Sequence, residues 1–305
     1  MRTTLINTLI ELAKKDKNIY LLTGDLGFTV LEPFIEKFPE RFINCGVAEQ
    51  NMMGVAAGLA LSGKKPYVYS IVPFVTLRCF EQIRNDVCYQ NLNVKIIGMG
   101  SGFTYGHLGF SHYALEDVAV LRSLLNMTIL CPADSLETEQ LILKSYQIKG
   151  PAYIRITRKG DAVYRKKPKI EIGKPSVIRE GKDGLIIATG IQTVFCLDLI
   201  EELKKQGKNF KLISLHTLKP IQKSALLKEM KGIKTIFTIE EHSVIGGLGA
   251  VVSEILAESD WQGKFRIIGV PDGCPSCAGS VDYLRKKYYL DKETIMEKIL
   301  KEIKI

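Results

Sequence analysis

Long apolar runs are missing from this chain of 305 residues. Nothing approaches the roughly 18 uninterrupted apolar residues of a membrane-spanning helix, and the start, Met1-Arg-Thr-Thr-Leu5, lacks a signal-peptide layout. A cytoplasmic protein without a membrane partner is therefore expected. A disulfide framework is missing too. The seven cysteines are odd in number, and Cys45, Cys79, Cys88, Cys131 and Cys196 sit inside apolar segments, as reduced core residues do. Cys274-Pro-Ser-Cys277 has CxxC spacing, but no second CxxC or histidine pair completes a four-ligand set, so no metal site is expected. That segment reads as a loop, with a Cys274–Cys277 disulfide left open. The net charge of +9 comes without a nucleic-acid-binding module. Its basic residues are scattered, with only Arg165–Lys169 and Arg285–Lys287 as short clusters. Attraction to anionic metabolites, or to an acidic partner subunit, accounts for the charge without nucleic acid.

What is present is enough apolar material, 46% of residues, for two cores and hence two domains. Strand-like runs occur at 19–22, 41–45, 67–71, 94–97, 127–130 and 152–156, with helical patterns at 48–62, 76–90, 115–125 and 135–148. Connections this long permit crossovers, so an α/β fold with a mostly parallel sheet flanked by helices is predicted. Residues 159–184 hold six lysines, two prolines and four glycines with little periodicity, and read as a linker. A second set of strands follows at 184–188, 212–215, 235–239 and 265–270, ending in a charged helix at 291–304. The expected division is a first domain over 1–160, a linker over 161–183 and a second domain over 184–305. Two glycine-rich stretches, Gly98–Gly102 and Gly246–Gly249, are weak anion-binding signals. Close helix–strand packing is the commoner reason for such glycines.

The stretch Asn44–Leu61 carries the most information. A short strand gives way to a glycine turn and then a helix of small residues headed by Glu49. An acidic residue there complements the helix dipole in most proteins. Here Gly54, Ala56, Ala57, Gly58 and Ala60 suggest a closely packed, buried helix, and a carboxylate at the head of a buried helix needs a specific partner.

Glu49-Gln-Asn-Met-Met-Gly54, preceded by Gly46-Val-Ala, resembles the glutamate motif of the transketolase family of thiamine-diphosphate enzymes. In that family the glutamate hydrogen-bonds the cofactor's aminopyrimidine, which then takes the thiazolium proton. Phe80–Arg84, Ser111–Asp117, Pro132–Asp134, His216–Pro220 and Glu240–Gly249 extend the resemblance over nearly the whole chain. Their order is similar to the C-terminal half of a transketolase, a pyrimidine-binding domain followed by the family's C-terminal domain. The family's diphosphate-binding Gly-Asp-Gly motif, with its magnesium-ligating asparagine, has no equivalent; Thr23-Gly-Asp-Leu-Gly27 lacks the second asparagine. The resemblance thus implies one subunit of a split transketolase. A partner corresponding to the N-terminal half would hold diphosphate and Mg2+, in a heterotetramer with two copies of each chain.

The resemblance also implies roles for individual residues. Glu49 would activate the cofactor. Phe74 would stack on the aminopyrimidine, as an aromatic face suits a flat heterocycle, although a plain core phenylalanine is the bland reading. Arg78 would lie close to the cofactor or else be a surface arginine. His112 would contact the reacting end of the substrate, a buried structural imidazole being the alternative. Asp25 would bind a substrate hydroxyl and Arg158 a substrate phosphate, unless Arg158 is linker surface.

Departures from the family pattern bear on the substrate. Gly106-His-Leu-Gly109 puts Leu108 where the family has an acidic sugar ligand, Gly100 stands where it has a histidine, and Asp272–Gly279 differs from its C-terminal motif. His107 is a candidate replacement contact. The implied activity is transfer of a two-carbon ketol unit from a ketose to an aldose, as sugars or sugar phosphates, with a modified sugar favoured over ordinary pentose phosphates. A 2-oxo-acid dehydrogenase beta subunit, a deoxyxylulose-phosphate-synthase-like enzyme and a non-catalytic regulatory subunit are the alternatives.

Overall fold

The computed structural model describes residues 1–158, 162–164, 167–273 and 277–303. Its twelve strands form two sheets. The first has seven strands: β1 (Ile19–Thr23), β2 (Phe42–Asn44), β3 (Lys65–Ile71), β4 (Lys95–Met99), β5 (Thr128–Leu130), β6 (Ala152–Ile156) and β10 (Thr217–Lys219), ordered β10-β5-β6-β4-β3-β1-β2. The second has five: β7 (Ser176–Arg179), β8 (Gly184–Ala188), β9 (Phe210–Ser214), β11 (Thr235–Ser243) and β12 (Lys264–Val270), ordered β12-β11-β8-β9-β7. Among the described residues all strand pairings are parallel except those of two of the four edge strands, β10 against β5 and β7 against β9. The strands β4, β6, β8 and β9 are buried along their whole length, as expected where helices cover both faces.

Every strand expected from the sequence forms. Two more, β7 and β10, were not expected. β7 lies inside the stretch whose composition reads as a linker, where Ser176-Val-Ile-Arg179 alternates half-buried and exposed side chains. β10 has three residues. The single helix expected over 76–90 is instead a short helix Val72–Thr76, another at Phe80–Gln82 and a π-helical stretch Ile83–Cys88. Pro73 sits in the first turn of Val72–Thr76, where its missing N–H costs no intrahelical bond.

One apolar cluster runs from Val68, Ile96 and Ile129 of the first sheet to Leu185, Ile187 and Ile213 of the second. Buried polar contacts add to this join. Arg155 on β6 donates from Nε to Asp117 (2.8 Å) and from Nη2 to the carbonyls of Ala114 (2.6 Å) and Glu241 (3.2 Å), while the Phe103 N–H donates to the Glu241 carboxylate (2.9 Å). Asp134 caps the helix Ser135–Gln147 through the Glu137 N–H and also accepts from the Val163 and Tyr164 N–H groups, which ties the connecting segment to the first unit.

Neither glycine-rich stretch is an open anion site. A Cβ at Gly98 would overlap the Tyr153 ring, and at Gly102 the Glu241 carboxylate. At Gly249 it would overlap Ile267, so these glycines serve close packing.

Candidate functional site

Four parallel strands of the first sheet, β1, β3, β4 and β6, deliver their carboxyl ends to one side of the molecule, where open α/β sheets bind ligands. The loops after these strands carry Asp25, Phe74, Arg78, His107, His112 and Arg158, and Glu49 arrives on the helix after β2.

Glu49 opens the helix Glu49–Leu61 with its side chain 1% exposed. Met52, Met53, Ala56 and Ala57 bury the inner face of this helix, but Gly54 and Gly58 do not pack as their composition suggests. Both are exposed, and a Cβ on either would meet nothing within 4 Å. The carboxylate accepts a hydrogen bond from Arg78 Nη1 at 2.7 Å. Arg78 is 44% exposed, and its guanidinium lies 4.3 Å over the Phe74 ring, so one side chain engages both the carboxylate and the aromatic face. Burial, and after it the nearby Glu49 carboxylate, pushes the Cys79 thiol up to about 12. Phe74 lies in the short helix directly after β3, half-buried rather than a closed core residue.

Phe74 also meets His112 edge to face, with centroids 5.0 Å apart at 69°. Ser111 Oγ lies 3.0 Å from His112 Nδ1, which orients the imidazole and leaves Nε2 available. Partial burial lowers the His112 pKa, helped by the charges of His107 and Arg78. A largely neutral imidazole near pH 7 follows, able to accept and return a proton. His107 is exposed on the turn Gly106–Leu108, close enough for its charge to act on His112.

Asp25 is held in a left-handed conformation (φ 57°) by Asn44. Its N–H donates to Asn44 Oδ1 and its Oδ1 accepts from Asn44 Nδ2, both at 3.0 Å. The same Asn44 oxygen accepts the Gly46 N–H at 3.0 Å, joining this loop to the turn before Glu49. A Cβ at Gly24 would lie 3.4 Å from the Glu49 side chain, so Asp25 stands beside Glu49 on a tightly apposed backbone. Arg158 is exposed at the mouth of a cavity of about 470 Å³ shared by the two units, with Thr104, Thr157, Glu241 and Arg285 on its walls. Arg285 is tied to Glu241 at 2.6 Å, so Arg158 is the cation there without such a carboxylate contact among the described residues.

The structure thus gathers Glu49, Arg78, Phe74, His112 and His107 into one group, with Asp25 and Arg158 on adjoining loops. The sequence reading missed Asn44, whose part is purely geometric, and Arg2. The Arg2 side chain acts on both the Tyr69 and the Tyr105 hydroxyls, which places the first residue of the helix Arg2–Lys15 beside the strand ends. Nothing local in Met1-Arg-Thr-Thr announces that position. Cys274, part of the CxxC pair, lies outside the described residues. Among those residues no three His, Cys, Asp or Glu side chains converge as a metal site, and no helix is long and apolar enough to cross a membrane.

Two family models match the sequence: the transketolase pyrimidine binding domain over residues 1–160 and the transketolase C-terminal domain over residues 173–295. The chain is 37% identical to the 6-deoxy-6-sulfo-D-fructose transketolase subunit SqwH of a Clostridium species, over 97% of its own length and 92% of the relative's. It is 36% identical to one of the subunits of the apulose-4-phosphate transketolase of Phocaeicola vulgatus, over 99% and 97%. A solved split-gene transketolase, described as an inactive beta4 tetramer, superimposes with a TM-score of 0.88 at 36% identity, covering 99% of this chain and 98% of that one.

Proposed function

The chain belongs to the transketolase family, and from that premise we propose that it is the subunit of a split transketolase carrying Glu49, with a separate chain supplying the diphosphate-binding half. The observation that carries this reading is the group at the strand ends, a buried carboxylate with a half-buried aromatic face beside it and an imidazole against that ring. These residues suit an aminopyrimidine, which needs a carboxylate for a ring nitrogen and a flat surface to lie on. Members of this family depend on thiamine diphosphate, which when bound supplies a nucleophilic carbon that adds to a ketose carbonyl and stabilises the carbanion left by bond cleavage.

Glu49 would hold a proton at a ring nitrogen of the aminopyrimidine, and its burial would exclude water from that bond. Phe74 would offer the heterocycle a flat surface. Arg78, stacked on Phe74 and bonded to Glu49, orients the carboxylate and balances its charge in the free chain. His112, next to the reacting end of the sugar, takes a proton from the donor hydroxyl and returns it to the acceptor oxygen. Asp25, its Oδ1 pinned by Asn44, directs its other oxygen to a sugar hydroxyl, and His107 adds a polar contact at the rim. Arg158, with Arg2 nearby, receives an anionic end by its planar fork. The relatives named for a sugar phosphate and a sulfo sugar suit that placement, and a modified sugar with an anionic end is the proposed substrate class. Mg2+ and the diphosphate are held mainly by the partner chain in a complex with two copies of each.

Co-expression with the diphosphate-binding chain, followed by native mass spectrometry with thiamine diphosphate and magnesium, tests the assembly. A two-plus-two complex with two cofactors that moves a two-carbon unit from a ketose phosphate to an aldose is expected. Release of CO2 from pyruvate by that complex, without ketol transfer, would overturn the reading.

A further inference from the structure

Gly100 follows β4 with a φ of +94°, and a Cβ built on it would overlap the ring of Tyr105. The backbone there is one that L side chains rarely adopt, and the space above it belongs to another residue. Tyr105 is fixed in that space by its surroundings. The Gly100 and Ser101 N–H groups donate to the Ile156 carbonyl at 2.9 and 3.2 Å, tying the loop to the end of β6 two residues before Arg158. Thr104 Oγ1 lies 2.6 Å from the Ser101 carbonyl and 2.8 Å from Thr157 Oγ1, and the Leu108 N–H donates to the Tyr105 carbonyl at 2.8 Å. The half-buried ring stands edge-on to His112, with centroids 6.3 Å apart at 72°. Burial raises the phenol's pKa, which keeps it an O–H donor, and the charges of Arg158 and Arg2 lie close enough to act on it.

Tyr105 therefore lies between the imidazole at the reacting end and the arginine at the anionic end. We propose that Tyr105 is a specificity-determining residue. Its ring sets the width of the channel between His112 and Arg158, and its hydroxyl donates to a sugar hydroxyl between the carbonyl carbon and the anionic terminus. The ligand class is a polyhydroxy aldehyde or ketone with a terminal phosphate or similar anion, in preference to deoxy analogues of the same length. This inference rests on the transferase reading and deepens it. A plain packing role, filling the space over Gly100, needs the ring but not the hydroxyl, and Tyr105→Phe separates the two.

The complete enzyme, with its partner chain, thiamine diphosphate and magnesium, would be titrated calorimetrically with ribose 5-phosphate and with its 2-deoxy and 3-deoxy analogues. Wild type is expected to prefer ribose 5-phosphate to at least one analogue by roughly five- to tenfold, the range of one neutral hydrogen bond. Tyr105→Phe should erase that preference, with the change in turnover assays falling on KM rather than kcat. Tyr105→Ala should in addition admit bulkier sugars. An unchanged preference in Tyr105→Phe, or no binding of any of the three by wild type, would overturn the inference. Ketol transfer from hydroxypyruvate to glycolaldehyde by wild type runs alongside. Glycolaldehyde lacks both the anionic end and a mid-chain hydroxyl, so failure there sinks the transferase reading without deciding the role of Tyr105.

Discussion

Two glutamates in this molecule look alike on first inspection. Glu49 and Glu240 are each 1% exposed; Glu49 opens a helix, and Glu240, on β11, faces the start of another. Glu240, near the end of β11, accepts the N–H groups of Leu248 (2.6 Å) and Gly249 (2.8 Å), so both its oxygens serve the first turn of the helix Leu248–Ala257. A Cβ at Gly247 would overlap this carboxyl group, which explains the glycine and answers the anion-site reading of Gly246–Gly249: the helix N-terminus is already occupied by the protein's own side chain. The hydrogen-bond partner of Glu49 is instead a side chain, Arg78, itself nearly half exposed. Burial alone does not mark a working carboxylate. What separates the two is whether the bonded partner belongs to the fixed backbone or is a partly exposed side chain.

The contrast can be broken most sharply by Glu49→Gln. In the complete enzyme kcat should fall about a hundred- to ten-thousandfold, the range for a lost acid–base group, while the melting temperature of the chain stays within a few degrees. A variant retaining full turnover would make Glu49 no different from Glu240. Arg158→Ala comes next, with KM for a phosphorylated sugar rising roughly ten- to a hundredfold and kcat little changed, measured by steady-state kinetics. On the structural side, Glu240→Ala leaves two buried N–H groups unsatisfied. It should cost about 1–3 kcal/mol in denaturant unfolding and leave kcat per folded enzyme intact. The last effect is a pH slope, small within any one pH unit. Burial raises the Glu240 carboxyl from its ordinary 4.5 to about 7 despite the two N–H bonds. The folded state therefore favours the protonated form, whose stabilisation is fully present below pH 4.5 and lost as pH rises through about 7. The unfolding free energy of wild type, less that of Glu240→Gln, should fall across this window by at most about 1.4 kcal/mol per pH unit. A flat difference would mean that the carboxyl titrates at its ordinary value.

Much of this was legible in the sequence where the signal was local. Ile19–Leu22, Val94–Ile97 and Ala152–Ile156 announce themselves as strands because they are rich in apolar and β-branched or aromatic residues, interrupted only by Lys95 and Arg155. Glu49 stood out because a long stretch around it carries a recognisable order of residues. Phe74 and His112 followed from position in the same pattern, and the structure sets their rings against each other. What stayed hidden depends on the fold. Asn44 is an ordinary strand residue until two loops converge on its amide. Arg2 comes beside Tyr69 and Tyr105 only because the first helix packs against the helix Ser135–Gln147 and β1. The exposed Gly54 and Gly58 show the limit of composition: small residues permit a close neighbour without saying that this chain supplies it.

The pairing of β10 with β5 has a consequence for biosynthesis. Every other strand of the first sheet lies before residue 157, yet the outer edge of β5 is closed only by Thr217–Lys219. A nascent chain that has finished β6 displays an unpaired, apolar strand edge until residue 219 has cleared the ribosome. Such an edge invites pairing with another chain. Any polypeptide cut between the two units would carry that open edge permanently, so a chain reaching through β10 is the smallest piece in which β5 is paired on both sides.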